Sequence, residues 1–224
     1  MLHVRIPPAS WALSGRIQGR LLAGCLILLL CASLASLALA VAAYSGGFLL
    51  WENYVCDLLH ASTRAGAPNP SGGLATAALL LFVAALVPFF LLLAELAPVP
   101  RRLVRGCGVL SASGWAAMAL SPSDRWPLLH AAFVAAGIVP GVVGATVAVR
   151  GLASRPETRT LALVGACALG CAALDAALYF LLHALGGPWL GWLVPALQRP
   201  AAAFLIAWMV GAALASGARA PTWR

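Results

Sequence analysis

The stretch Leu74–Leu96, LATAALLLFVAALVPFFLLLAEL, decides the fold. Its only ionisable side chain, Glu95, stands at its very end. A helix that crosses the hydrocarbon core needs about 20 mostly apolar residues, and this run supplies them. Comparable runs lie on either side of it, at Leu21–Ala43, Leu103–Leu120, Leu128–Val149, Leu161–Leu185 and Pro200–Ala218. Together they predict an all-α polytopic membrane protein, a bundle of six transmembrane helices over residues 21–218, with short tails at 1–20 and 219–224. Composition agrees. The 224 residues are 62% hydrophobic and 9% charged, with a mean hydropathy of +0.96, whereas a soluble domain is about 25% charged. The first run follows Arg16 and Arg20 and ends in small residues, as a signal peptide would. It is much longer than the usual secretory core of about 7–15 residues, so it reads as a retained first helix.

The net charge of +8 does not point to nucleic acid, which is excluded as a partner. The arginines stand in short clusters beside apolar runs rather than along a solvated face. All 14 basic residues are arginine, a choice that coding bias explains without chemistry. Their placement sets the orientation. Arg5, Arg16, Arg20, Arg101, Arg102, Arg105, Arg150, Arg155, Arg159, Arg219 and Arg224 share one side, and only Arg64, Arg125 and Arg199 take the other. Both termini are therefore expected in the cytoplasm and the protein in the cell membrane. Five of the six cysteines fall inside apolar runs, Cys56 alone lies outside, and no C-x-x-C occurs. That argues against a disulfide framework and against a thiolate zinc site. Small residues four apart, Gly108-x-x-x-Ala112-x-x-x-Ala116 and Gly137-x-x-x-Gly141-x-x-x-Ala145, suit close helix packing in lipid.

The first outer connection, Trp51–His60 (WENYVCDLLH), is too apolar for a solvated loop and too polar for a span. Asn53, Asp57, His60 and Arg64 are spaced 4, 3 and 4 apart, one stripe of a helix. This predicts a short interfacial or re-entrant helix. The plainer reading is that its polar stripe simply faces water. The orientation also puts three histidines at the outer side, each near an aspartate: His60 with Asp57, His130 with Asp124, His183 with Asp175. Asp124 has a simpler use as a cap for the fourth helix. Asp175 carries the strongest signal, about fifteen residues into its span, roughly 22 Å at 1.5 Å per residue. An aspartate there costs at least about 2.5 kcal/mol, so it should face the interior with a polar partner. Tyr179 and His183 follow it on one face. The ladder fits a structural hydrogen-bond network, a catalytic or metal-binding wall, or a proton path.

The segment YSGGFLLWENYVCDLLHASTRAGAPN resembles the signature after the first span in the bacterial membrane family filed as domain of unknown function 998. PSDRWPLLHAAF is similar to that family's Pro-x-Asp turn leading to a histidine in the fourth span. The likeness covers Asn53, Tyr54, Asp57, Pro68, Asn69, Asp124 and His130. More distantly, the family resembles the six-span FGF-receptor-activating and autophagy-modulator membrane proteins. It implies the fold and brings no established reaction. Cys56 departs from its usual serine, and His130 lacks the usual following asparagine.

Three function classes follow. The first binds a lipid or membrane partner at the outer face, with Asn53, Tyr54, Asn69, Arg125 and Tyr179 contacting the ligand; membrane lipids are the partners this reading names. The second is a membrane-embedded hydrolase or transferase acting on a lipid at the outer leaflet. In its metal-dependent form His60, His130 and His183 would hold a divalent metal such as zinc, and Asp57, Asp124 and Asp175 would be the catalytic carboxylates. The third is a transporter, which the absence of a matched pair of broken helices disfavours.

Overall fold

The computed structural model describes residues 9–185 and 193–218, with side chains over 17–181 and 193–217. Among these residues all regular elements are helical, and the one β feature is an isolated bridge between Ser62 and Pro68. The helices are α1 (Ala9–Ala43), α2 (Gly72–Leu96), α3 (Arg101–Ala119), α4 (Pro127–Ala153), α5 (Arg159–Leu185) and α6 (Leu193–Ala218). Five of them, all but α3, are long and apolar enough to cross a membrane. The α3 helix opens with Arg101, Arg102 and Arg105, which lower its hydropathy.

Consecutive helices pack side by side from α1 to α4, α5 lies against α4 and α6, and α6 returns to α1. At the centre is α2: 56% of its apolar window is buried, against 22% in each of the other four spans. Its Phe89 meets Trp208 of α6 edge to face at 5.1 Å. Around them Leu26, Leu93, Val104, Leu152 and Met209 are fully buried.

In lipid, apolar side chains gain little by leaving the solvent, so close backbone approach carries the packing. The α3–α4 pair shows this at the predicted α4 stripe, which meets Ser111 and Gly114 of α3, whereas Gly108 of the predicted α3 stripe faces Phe90 of α2. A Cβ on Gly114 would stand 2.4 Å from the Gly137 nitrogen, and one on Gly141 would stand 2.7 Å from Ser111 Oγ. Ser111 Oγ also donates to the Gly137 carbonyl at 2.8 Å, a buried bond between the two helices.

Two boundaries differ from the sequence reading. The first helix is already formed at Ala9, well before Leu21, because helix continues past the end of the apolar run. The sixth begins at Leu193 and carries Pro200 inside it. Arg199 is thus a helical residue, not a loop residue.

Candidate functional site

The chain leaves α1 through Gly46 and Gly47, whose φ values of 84° and 85° suit glycine and turn the backbone sharply. Phe48 then packs edge to face on Tyr44 at 5.6 Å. Asn53 closes the next turn, its Oδ1 accepting the Leu49 N–H at 2.8 Å.

The expected α-helical stripe is replaced by one 3-10 turn, Val55–Leu59. Residues 50–52 form a separate turn before it, and His60 is extended after it. Three stripe residues still meet, because the Asp57 carboxylate collects them. Its Oδ2 accepts from Tyr54 N–H at 2.9 Å, Asn53 Nδ2 at 3.3 Å and Arg64 Nε at 2.9 Å. His60 Nδ1 lies 3.9 Å from its Oδ1. Half of the stripe is shut off from water, Asn53 at 3% exposed and Asp57 at 5%, while Arg64 at its end is half exposed.

Asn69 staples the far side of the loop. Its Nδ2 donates to the carbonyls of Leu58 and His60 at 3.1 and 2.8 Å, and its Oδ1 accepts from both the N–H and the hydroxyl of Ser71. Arg64 lies over the Tyr54 ring at 5.7 Å and its N–H donates to the Tyr44 hydroxyl.

Two other segments hold this loop. The α3–α4 turn does so through Ser123 Oγ, 2.8 Å from His60 Nε2, and through Asp124 Oδ2, which accepts the Ala61 N–H at 2.9 Å. Asp124 therefore does not cap α4, whose N-cap is Trp126 without a side-chain bond. His130 is buried and bonds the Ser121 carbonyl through Nδ1 at 2.8 Å. A carbonyl only accepts, so Nδ1 carries the proton. Arg125 is exposed.

The second hold comes from α6. Arg199 donates from Nε to the Leu50 carbonyl at 2.9 Å and from Nη2 to the Asn53 carbonyl, and lies over the Phe48 ring. Gln198 Oε1 accepts the Val55 N–H at 3.3 Å. The charges of Asp57 and Asp175 both act on Arg199.

Asp175 is half-buried, and its Oδ1 is buried with no hydrogen-bond partner. The expected polar partner for this oxygen is therefore not found among the described residues. Tyr179 acts electrostatically on Tyr54 and is acted on by Cys56. Tyr179 also meets Phe180 edge to face. The side chain of His183 lies outside the described ones. Among those described, no three His, Cys, Asp or Glu side chains are grouped to hold a metal.

Burial pushes the Cys56 thiol up to about 12, with the Asp57 charge adding to it. Burial also raises the Tyr54 phenol. Both stay protonated at neutral pH, which leaves neither as a ready nucleophile.

The site thus gathers Asn53, Tyr54, Asp57, His60, Asn69 and Asp124 into one bonded unit, with His130 joined through the Ser121–Asp124 turn. The sequence reading left out Arg199, Gln198 and Ser123. A usable signal for Arg199 was its place among only three arginines on the arginine-poor side. An apolar groove of about 530 Å³ between α3 and α4, lined by Leu110, Phe133 and Val139 among others, shares no residue with this unit. Comparison of the chain with known protein families, curated proteins and solved structures finds no match.

Proposed function

We propose that this chain is a six-span protein of the cell membrane, with α3 as the sixth span and both termini in the cytoplasm, and that its outer face binds a lipid headgroup or membrane partner without turning it over. The arginine asymmetry supports the orientation. At 19 residues, α3 reaches about 28 Å, close to the roughly 30 Å of the hydrocarbon core. Kinship with the domain-of-unknown-function 998 family belongs to the same proposal. Its motif residues Asn53, Asp57, Asn69 and Asp124 are the ones that lock the outer loop.

Binding is favoured over turnover because the candidate acid–base groups are engaged elsewhere. Asp57 holds three donors, His60 is bonded to Ser123 and His130 to a carbonyl. One observation carries the binding reading: the buried Asp175 Oδ1, without a hydrogen-bond partner among the described residues, in a carboxyl that feels the Arg199 charge. A ligand hydroxyl or ammonium would complete it.

Such a bond to a charged group contributes about 1.5–3 kcal/mol, about tenfold to a hundredfold in affinity. Protein purified in native lipid nanodiscs should therefore retain a lipid that Asp175→Asn releases and Glu95→Gln keeps. Equal lipid retention by Asp175→Asn and the parent would overturn the reading. Chemical conversion of added lipid by the parent protein would replace it with the hydrolase or transferase.

A further inference from the structure

We infer that the Leu49–Trp51 tip of the first outer loop is a membrane anchor, seated in the acyl–headgroup boundary of the leaflet at the arginine-poor end and clamped there by Arg199. Three consecutive large apolar residues are exposed at this tip, Leu49 at 56%, Leu50 at 52% and Trp51 at 61%. Single exposed apolar residues need no explanation, but a contiguous group at a loop tip does.

Depth supplies the occupant. The Leu50 carbonyl is bonded to Arg199, six residues after the start of α6 at Leu193. The tip therefore sits about 9 Å down that helix, alongside a segment that belongs to the apolar span Leu193–Gly217. It is level with the outer end of that candidate span, where the uninterrupted apolar run from Pro200 begins, the depth at which acyl chains meet headgroups.

The backbone is prepared for that position. Non-helical chain at membrane depth must satisfy its polar groups within the protein. Here the Leu49 N–H is taken by Asn53 Oδ1, and the Leu49 carbonyl accepts from the N–H groups of Glu52 and Asn53. The Leu50 carbonyl is taken by the Arg199 guanidinium. That guanidinium is itself covered by the Phe48 ring at 5.8 Å. Trp51 adds an amphipathic ring of the kind enriched at membrane interfaces, and exposed Glu52 follows it toward the headgroups.

This anchor requires only that α6 crosses the membrane, so it stands apart from the ligand proposed at Asp175. The test is photo-crosslinking in nanodiscs, with p-benzoylphenylalanine in place of Leu50, of Trp51 or of Ala65, a residue exposed farther along the same loop. Mass spectrometry should find phospholipid adducts at positions 50 and 51 and none at 65. Since all three side chains are exposed, the replacements leave the core intact. Adducts absent at 50 and 51, or equal at all three positions, would overturn the anchor. In a second measurement on the parent protein, brominated lipid should quench a tryptophan component that Trp51→Phe removes. The same quenching in both proteins would also overturn the anchor.

Discussion

The two ends of the bundle solve the problem of charge in opposite ways. At the arginine-rich end, Glu95 pairs with Arg101 and Arg105 while 43% exposed, and its partners are 61% and 45% exposed. Water competes for every one of those groups, so the pairs are individually weak and replaceable. At the other end, Asp57 has a side chain only 7% exposed and holds Arg64 together with an amide side chain and a backbone N–H. There a single carboxylate fixes the path of a loop. Charge at the first end acts through number; at the second it acts through geometry.

That contrast can be broken by substitution. Removing one partner from a buried ionic network costs about 3–5 kcal/mol. Asp57→Ala should fall at the low end of that range, about 3 kcal/mol, because Arg64 is half exposed and can rehydrate. Thermal unfolding in detergent should show it as the most damaging change in the series, and near-parent stability for Asp57→Ala would erase the distinction between the ends. Asn69→Ala comes next. It leaves the Leu58 and His60 carbonyls without their donor, about 2 kcal/mol at roughly 1 kcal/mol per net bond. Glu95→Gln should cost less than about 1 kcal/mol under the same assay. A Glu95 effect as large as that of Asp57 would mean that exposure does not govern the difference.

Cys56 offers a finer test of how closed the outer loop is. Its thiol is held up at about 12 against an ordinary value of 9.0, first by burial and then by the Asp57 charge. A raised folded value means that this contribution to stability is full below pH 9 and is lost as pH climbs toward 12. At pH 8 the native protein should leave Cys56 unalkylated by iodoacetamide, and Asp57→Ala should speed its modification by opening the loop. Prompt alkylation in the parent protein would show the loop to be open.

The extent to which the sequence revealed this arrangement depended on the kind of signal. Apolar length locates helices well, because the hydrocarbon thickness imposes it: five of the six expected runs overlap helices apolar enough to span. It locates helix ends poorly. Pro200 opens the sixth apolar run, yet α6 begins at Leu193, because Gln198 and Arg199 interrupt the apolar run without interrupting the helix. That error hid Arg199, whose partners are backbone carbonyls from residues far away in the chain and leave no pattern in the sequence. The 4, 3, 4 spacing around Asp57 correctly linked Asn53, Asp57 and Arg64, although the backbone joins them by a 3-10 turn and an extended segment. Periodicity captured which side chains share a partner but not the local path. Asp175 was singled out by the cost of burying a carboxylate. Whether its Oδ1 is bonded depends on how α5, α6 and the loop dock, which spacing does not encode.

The proposed binding face rests on the loop of residues 44–71 lying outside and the arginine-rich connections inside. Topology reporters fused at positions 65, 103 and 156 measure that directly. The account predicts an outside reading at 65 and inside readings at 103 and 156; an inside reading at 65 would contradict it.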